Sequence, residues 1–342
     1  MKFLTIFLTL FLMAACGHVR TDGGQSSFDP ELYSKLQPSE HVTYAQTVVK
    51  REERDPDGIK LKDLVHSKHG EIKKIGLVLF ETQIQPSISG LAVGENVYLS
   101  ERGKQILAQD FFNQWNTMLT EKSSVSWVRT KEILKSKAFR GYGSVVTDHI
   151  LRRKAEMRDN DIFWKSGGKE IPMGSLILPP NHQDVSILYI PAIEMMGGAK
   201  MVEHQKHWVN DICKELGLDA VLIVNSKASW DQGSVDKRTH EIIPEEMKIS
   251  IESSVLYPFS AYHAAAKDLT GAHSLPKKSV PLAAYTVSAK FPVKITVPES
   301  ERTFKTIQEN ILQPLRLNYR ALSSLVIDRI ITDIHQTHQE VK

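Results

Sequence analysis

Two segments towards the C-terminal end of the chain alternate apolar and polar residues one for one. In the first, Met247, Ile249, Ile251, Val255, Tyr257 and Phe259 point one way, with Lys248, Ser250, Glu252 and Ser254 opposite. In the second, Tyr285, Val287, Ala289, Phe291, Val293, Ile295 and Val297 share a side against Thr286, Ser288, Lys290, Lys294 and Thr296. A period of two is the side-chain period of a strand. Each segment therefore reads as a long strand with one covered face, and the two read as antiparallel neighbours. Segments 247–259 and 283–297 are also long enough for a membrane-crossing hairpin. Pro258 and Pro292 interrupt them, and Lys290 and Lys294 can equally face water. A half-covered soluble sheet and a barrel wall both stay open.

The rest of the chain supplies buried strands and amphipathic helices. Residues 72–81, around Ile75-Gly76-Leu77-Val78-Leu79-Phe80, form a near-continuous apolar run that suits a strand covered on both faces. A helix is expected over 101–120 with Ser100 as its N-cap, because Leu107, Phe111, Trp115 and Met118 fall on one face. A short strand at 125–128 and a short helix at 131–136 follow. Residues 185–193 read as a strand, 202–216 as a helix ending at Gly217, and 220–224 as another strand. The order is β-α-β, then β-α-β. The expected class is α/β: a mixed central sheet flanked by helices, followed by two long antiparallel strands and a C-terminal helix. That last helix spans 301–335, with Pro314 expected to kink or split it. The glycine-bearing stretch 137–182 reads as an insertion with at least one helix. At 41% hydrophobic and 24% charged residues, the composition is that of a globular protein. A net charge of +3 gives no argument for nucleic acid.

The N-terminus carries a different message. Met1-Lys2 precedes an uncharged run from Phe3 to Ala15, then Cys16. That run is too short for a membrane-spanning helix, and has the grammar of an export signal. Leu12-Met13-Ala14-Ala15-Cys16 resembles the lipobox of bacterial lipoproteins. The resemblance implies a signal peptide over 1–15, cleavage before Cys16, and acyl chains on its sulfur and amine that hold the protein to a membrane. Gly17 stands where Asp would signal retention at the inner membrane, so the outer membrane is favoured, with the domain facing the periplasm. The alternative is an ordinary secreted protein with a cysteine near its cleavage site. Residues 16–37 read as a polar tether, 38–298 as the α/β domain and 299–342 as a C-terminal helical segment. Only Cys213 remains for an intramolecular disulfide with Cys16, so none is expected in the mature chain. Cys213 reads as a buried, inert thiol.

The phrases Lys73-Lys74-Ile75-Gly76-Leu77-Val78-Leu79-Phe80 and Ile212-Cys213-Lys214-Glu215-Leu216-Gly217-Leu218-Asp219-Ala220-Val221-Leu222-Ile223-Val224, with the paired alternating strands, resemble periplasmic α/β lipoproteins of the curli-export (CsgG-like) and TolB N-terminal-like group. The resemblance covers about two-thirds of the chain, and the 137–182 insertion departs from it. It implies an envelope assembly factor, a secretion-pore subunit or an activator of cell-wall enzymes. It supplies no catalytic residues and no cofactor.

Other motifs are weighed against plain surface. Three His-x-x-His pairs, His66/His69, His204/His207 and His335/His338, could each offer two imidazoles to a metal ion, with Glu203 as an added carboxylate. Two ligands per helix do not make a site, and scattered surface histidines are the favoured account of the pairs. Gly197-Gly198-Ala199-Lys200 lacks phosphate-loop spacing and reads as a strand-helix turn. Asp159/Asp161 and Glu245/Glu246 read as solvated surface. The expected partners are a membrane, reached through the lipid, and an envelope protein. A homo-oligomer is compatible. A multimeric pore and a metal-binding or enzymatic protein are the alternatives.

Overall fold

A computed structural model describes residues 28–54, 71–86, 101–122, 124–128, 130–138, 209–230, 233–238, 242–258 and 282–340. Helices α1 (Pro30–Lys35) and α2 (Pro38–Val48) lead into strand β1 (Lys50–Arg54). Strand β2 (Lys74–Pro86), helix α3 (Glu101–Lys122), strand β3 (Ser126–Val128) and helix α4 (Thr130–Lys135) follow. Residues 209–216 are helical and are called α5. Strands β4 (Ala220–Trp230), β5 (Gly233–Val235), β6 (Ile242–Pro244), β7 (Glu246–Leu256) and β8 (Leu282–Pro292) come next, and helix α6 (Phe304–Glu340) closes the described chain.

Six strands form one mixed sheet in the order β1-β8-β7-β4-β2-β3. β2 is parallel to both β3 and β4, whereas β4/β7, β7/β8 and β8/β1 are antiparallel. The coarse α/β expectation therefore holds, and the two alternating segments pair as expected, from Glu246↔Pro292 to Leu256↔Leu282. Strand β8 stops at Pro292, although Val293 N–H still donates to Glu245 O at 2.9 Å, and 294–297 are not part of a strand. In β2 the register slips between Leu77 and Leu79. The extra residue keeps Ile75, Leu77, Phe80 and Thr82 all in the buried set despite their uneven spacing.

One face of the sheet lies beneath α2, α3 and α6. Met247, Ile249, Ile251 and Val255 of β7 and Tyr285 and Val287 of β8 are buried in a core that they share with Ile311, Leu315, Tyr319, Leu322 and Val326 of α6. The apolar sides of the two alternating strands are thus packed against protein. Along α6, residues 322–327 are buried on every side, as expected of a helix enclosed by other elements rather than lying at a surface. This enclosure explains why α6 runs unbroken through Pro314. The proline removes one backbone donor, but Ile311 and Leu315 beside it are fully buried and hold the helix on course. Thus the helix is not split there.

Residues 28–37 also depart from the tether reading. Asp29 caps α1, accepting from the N–H of Glu31 and Leu32 at 2.9 and 3.2 Å, and Pro30 opens its first turn. Phe28 and Tyr33 are buried in the same core as α6. A polar average conceals two aromatic anchors.

The opposite face carries α4 and α5. Gly217 has φ 61°, and Leu218 N–H reaches back to Cys213 O at 2.8 Å, closing α5 in a Schellman turn. Asp219 then accepts from the N–H of Lys73 and Lys74 at 2.9 and 2.8 Å, locking the start of β4 beside β2. A Cβ on Gly76 would stand 2.9 Å from Ile133 Cδ1 and 3.2 Å from Leu218 Cδ1, so this glycine lets α4 approach the sheet. The expected strand at 185–193 and most of the 137–182 insertion lie outside the described residues.

Candidate functional site

Among the described residues, a dense gathering of polar side chains lies along α6, where the segment 28–54 meets it. Ser324, Asp328 and His335 recur at four- and seven-residue spacing and so share a face. Lys122, the last residue of α3, donates to Ser324 Oγ at 2.5 Å and to Asp328 at 2.9 and 3.1 Å. Tyr33 of α1 donates to the same Ser324 Oγ at 2.8 Å. His41 of α2 stacks on the Tyr33 ring at 4.3 Å and donates Nε2–H to Tyr33 O. Burial pushes the Tyr33 phenol up to about 12, with the nearby Asp328 charge adding to the rise and the Ser324 bond opposing it. The hydroxyl therefore stays protonated and acts as a donor.

A second knot lies further along the helix. Asp333, almost wholly buried, accepts from Arg51 of β1 at 3.1 Å and from Arg329 at 2.9 Å. Arg329 also reaches Gln46 O of α2 at 3.0 Å. The Tyr285 phenol beneath is raised well above its ordinary value, first by burial and then by the Asp333 charge. Ser124, just past α3, is hydrogen-bonded to His335 Nε2.

These residue types invite a catalytic reading, and the geometry argues against it. Lys122 donates to both Ser324 Oγ and the Asp328 carboxylate, so in this geometry it is a donor to Ser324 and not its proton acceptor. Ser324 Oγ accepts from two donors and lies 3.3 Å from Asp328, which takes its proton. His335 has a serine beside it, but among the described residues no carboxylate pairs with its ring to orient it. What the arrangement does is fasten. Two clusters tie α1, α2 and β1, the first described elements after Cys16, onto the central helix.

Of the sequence-derived candidates, His335 is brought to Ser124, and the side chain of His338 lies outside the described residues. Cys16, His66, His69, Asp159, Asp161, Gly197 to Lys200, Glu203, His204 and His207 also lie outside them. Glu246 is paired with Lys290 on the sheet. Among the described residues no group of three metal-ligating side chains converges, and no helix is long and apolar enough to cross a membrane. Cys213 is buried, and burial pushes its thiol up to about 12. Sequence reasoning missed Tyr33, Lys122, Ser324, Asp328 and Asp333. A signal existed for three of them: Ser324, Asp328 and Asp333 stand at spacings of four and five among the apolar Leu322, Leu325, Val326, Ile327, Ile330, Ile331 and Ile334. No protein-family model, curated protein or solved structure matches the chain.

Proposed function

We propose that the chain is a bacterial lipoprotein, acylated at Cys16, whose domain is held at an envelope membrane and binds another envelope component. The carrying observation is the lipobox-like Leu12-Met13-Ala14-Ala15-Cys16, followed closely by a segment knitted into the core. Only eleven residues, Gly17 to Ser27, separate the candidate lipid site from Phe28. At full extension they span at most about 40 Å, so an acylated Cys16 keeps the domain close to its bilayer. A protein held this way transmits any pull through the residues that follow its anchor. The Tyr33–Ser324–Lys122 and Arg51–Asp333–Arg329 ties suit that demand.

Gly17 favours the outer membrane. Parallel pairing of β2 with β3 and β4 supports reading the chain as β-α-β units of the periplasmic group that it resembles. The role is binding rather than catalysis, with a protein of the envelope as partner. Mass spectrometry of the native product tests the anchor: the expected N-terminus is a di- or triacylated Cys16. An unmodified cysteine, or a Cys16→Ser protein that stays equally membrane-bound, refutes it. Crosslinking in intact cells then identifies the partner.

A further inference from the structure

On the sheet face away from α6, three lysines and three serines fall on adjacent positions of β4, β7 and β8. Ser226 bonds the Tyr319 hydroxyl at 2.7 Å and Ala228 is buried in the same core, so Lys227 and Ser229 face the other way. Lys248 and Ser250 alternate with the buried Met247, Ile249 and Ile251, and Ser288 and Lys290 with the buried Val287, Ala289 and Phe291. The register aligns them in two neighbouring rows, Ser288–Ser250–Lys227 and Lys290–Lys248–Ser229. Register partners stand about 5 Å apart at Cβ. The flexible four-carbon stems therefore let the lysine heads meet above Ser250 and Ser288.

These lysines work against the sheet that carries them. Lys248 and Lys290 are direct register partners, and like charges so placed destabilise a ladder. Glu246 takes Lys290 at 2.8 Å, and Glu252 stands one row away, opposite Asn225. Among the described residues, neither the half-buried Lys227 nor the exposed Lys248 enters an ion pair. Two positive charges thus remain, with serine hydroxyls between them. The chemistry selects the ligand. A carboxylate or a phosphodiester brings one negative charge and balances one lysine. A phosphomonoester carries about −1.5 to −2 at neutral pH and offers three acceptor oxygens. Two ammonium groups match that charge, and serine hydroxyls can donate to the oxygens left over. We propose that this lattice binds the phosphomonoester group of a ligand, with Lys227 and Lys248 as its cations and Ser250 and Ser288 as hydroxyl donors. The site does not depend on acylation of Cys16.

Calorimetric titration of the full chain at low salt, with glycerol 3-phosphate against dimethyl phosphate, tests this. The monoester should bind at least about tenfold more tightly than the diester, and its affinity should fall below about pH 6, where it takes up a proton. Lys227→Gln with Lys248→Gln should abolish binding. Lys214→Gln with Lys305→Gln, which removes the same charge from exposed helix positions, should leave it unchanged. A short-chain phosphatidic acid, soluble as a monomer, identifies the source: tighter binding than glycerol 3-phosphate marks a lipid headgroup, and equal binding a free phosphomonoester. Failure to bind either one, equal affinity for the diester, or undiminished binding by the Lys227/Lys248 variant overturns the proposal. Should that double variant not fold, Lys248→Gln alone, at an exposed position, is expected to weaken binding several-fold, and unchanged affinity there counts equally against the site.

Discussion

The two faces of the central sheet are covered to different extents. Beneath α2, α3 and α6, burial runs the whole length of β4 and β7, from Leu222 to Trp230 and from Met247 to Val255. Beneath α4 and α5, among the described residues, it thins halfway along. Val221 and Ile223 are buried there, but in the far half Lys227 and Ser250 are only half-buried, and Lys248, Ser288 and Lys290 are exposed, with Ser229 the buried exception. The same strands feed both faces, so intrinsic strand preference is not what differs. The cover is. Alternation in a sequence reports one covered face; the extent of cover on the other depends on helices that the strands themselves do not encode.

The largest contrast is expected from truncation on the fully covered face. Phe111→Ala removes the ring stacked on Tyr319 and should cost about 3–5 kcal/mol in chemical denaturation. Ser288→Ala, on the open half, should change stability by less than about 0.5 kcal/mol. Similar losses at the two sites would break the comparison. Next comes Asp333→Ala, which leaves Arg51 and Arg329 without their shared counter-charge and should cost about 3 kcal/mol. Because it frees β1, protease cleavage near β1 should accelerate in parallel. A loss of stability without new cleavage would separate the charge cluster from the attachment of the N-terminal segment.

On the partly covered face, Gly76→Ala should cost about 1–2 kcal/mol by pressing on Ile133 and Leu218. Combining it with Ile133→Val should recover part of that loss, since the two sites share one contact. Full additivity would show that α4 is not held there by close approach. Alkaline pH distinguishes the faces in another way. The Cys213 thiol lies near 12 folded against 9.0 ordinarily, and Tyr33 near 12 against 10.0. Above the ordinary value the unfolded chain has lost a proton that the native state retains. Their contributions are thus complete below pH 9 and pH 10 respectively, and fall as pH rises towards 12, by at most about 1.4 kcal/mol per pH unit for each group. Thermal midpoints should begin to drop near pH 9, and Cys213→Ala should delay the onset to about pH 10. An unchanged onset would place an accessible thiol beneath α5.

How far the sequence reaches follows from the same contrast. Strands β7 and β8 are legible because their alternation is long and one face is wholly apolar. The packed face of α3 and the end of α5 at Gly217 are legible because helical period and turn chemistry are local. Strand β4 continues past Val224 to Trp230, six residues beyond the reading, because Asn225, Ser226 and Lys227 interrupt its apolar run. Its extension is stabilised by β2 and β7 on either side, and tertiary pairing overrides composition. Residues 28–37 mislead for the opposite reason: averaged polarity hides Phe28 and Tyr33, whose burial needs α6, almost 300 positions away. Asp328 and Asp333 stand out as polar breaks in a buried helix, but nothing local names Lys122 or Arg51 as their partners.

The smallest effect is expected at Lys290. It bonds Glu246 at 2.8 Å, but both side chains are about half exposed, so solvent screens the pair. Directly across the ladder stands Lys248, a like charge that offsets the gain. Lys290→Ala should therefore stay within about 0.5 kcal/mol of the parent. Lys248→Ala, which relieves the repulsion while keeping the Glu246 bond, should be the more stable of the two, and the gap should shrink in high salt. If Lys290→Ala instead costs more than about 1.5 kcal/mol, the charge is desolvated and this half of the face lies beneath a partner or another part of the chain. The difference between the two faces would then be one of chemistry rather than of cover.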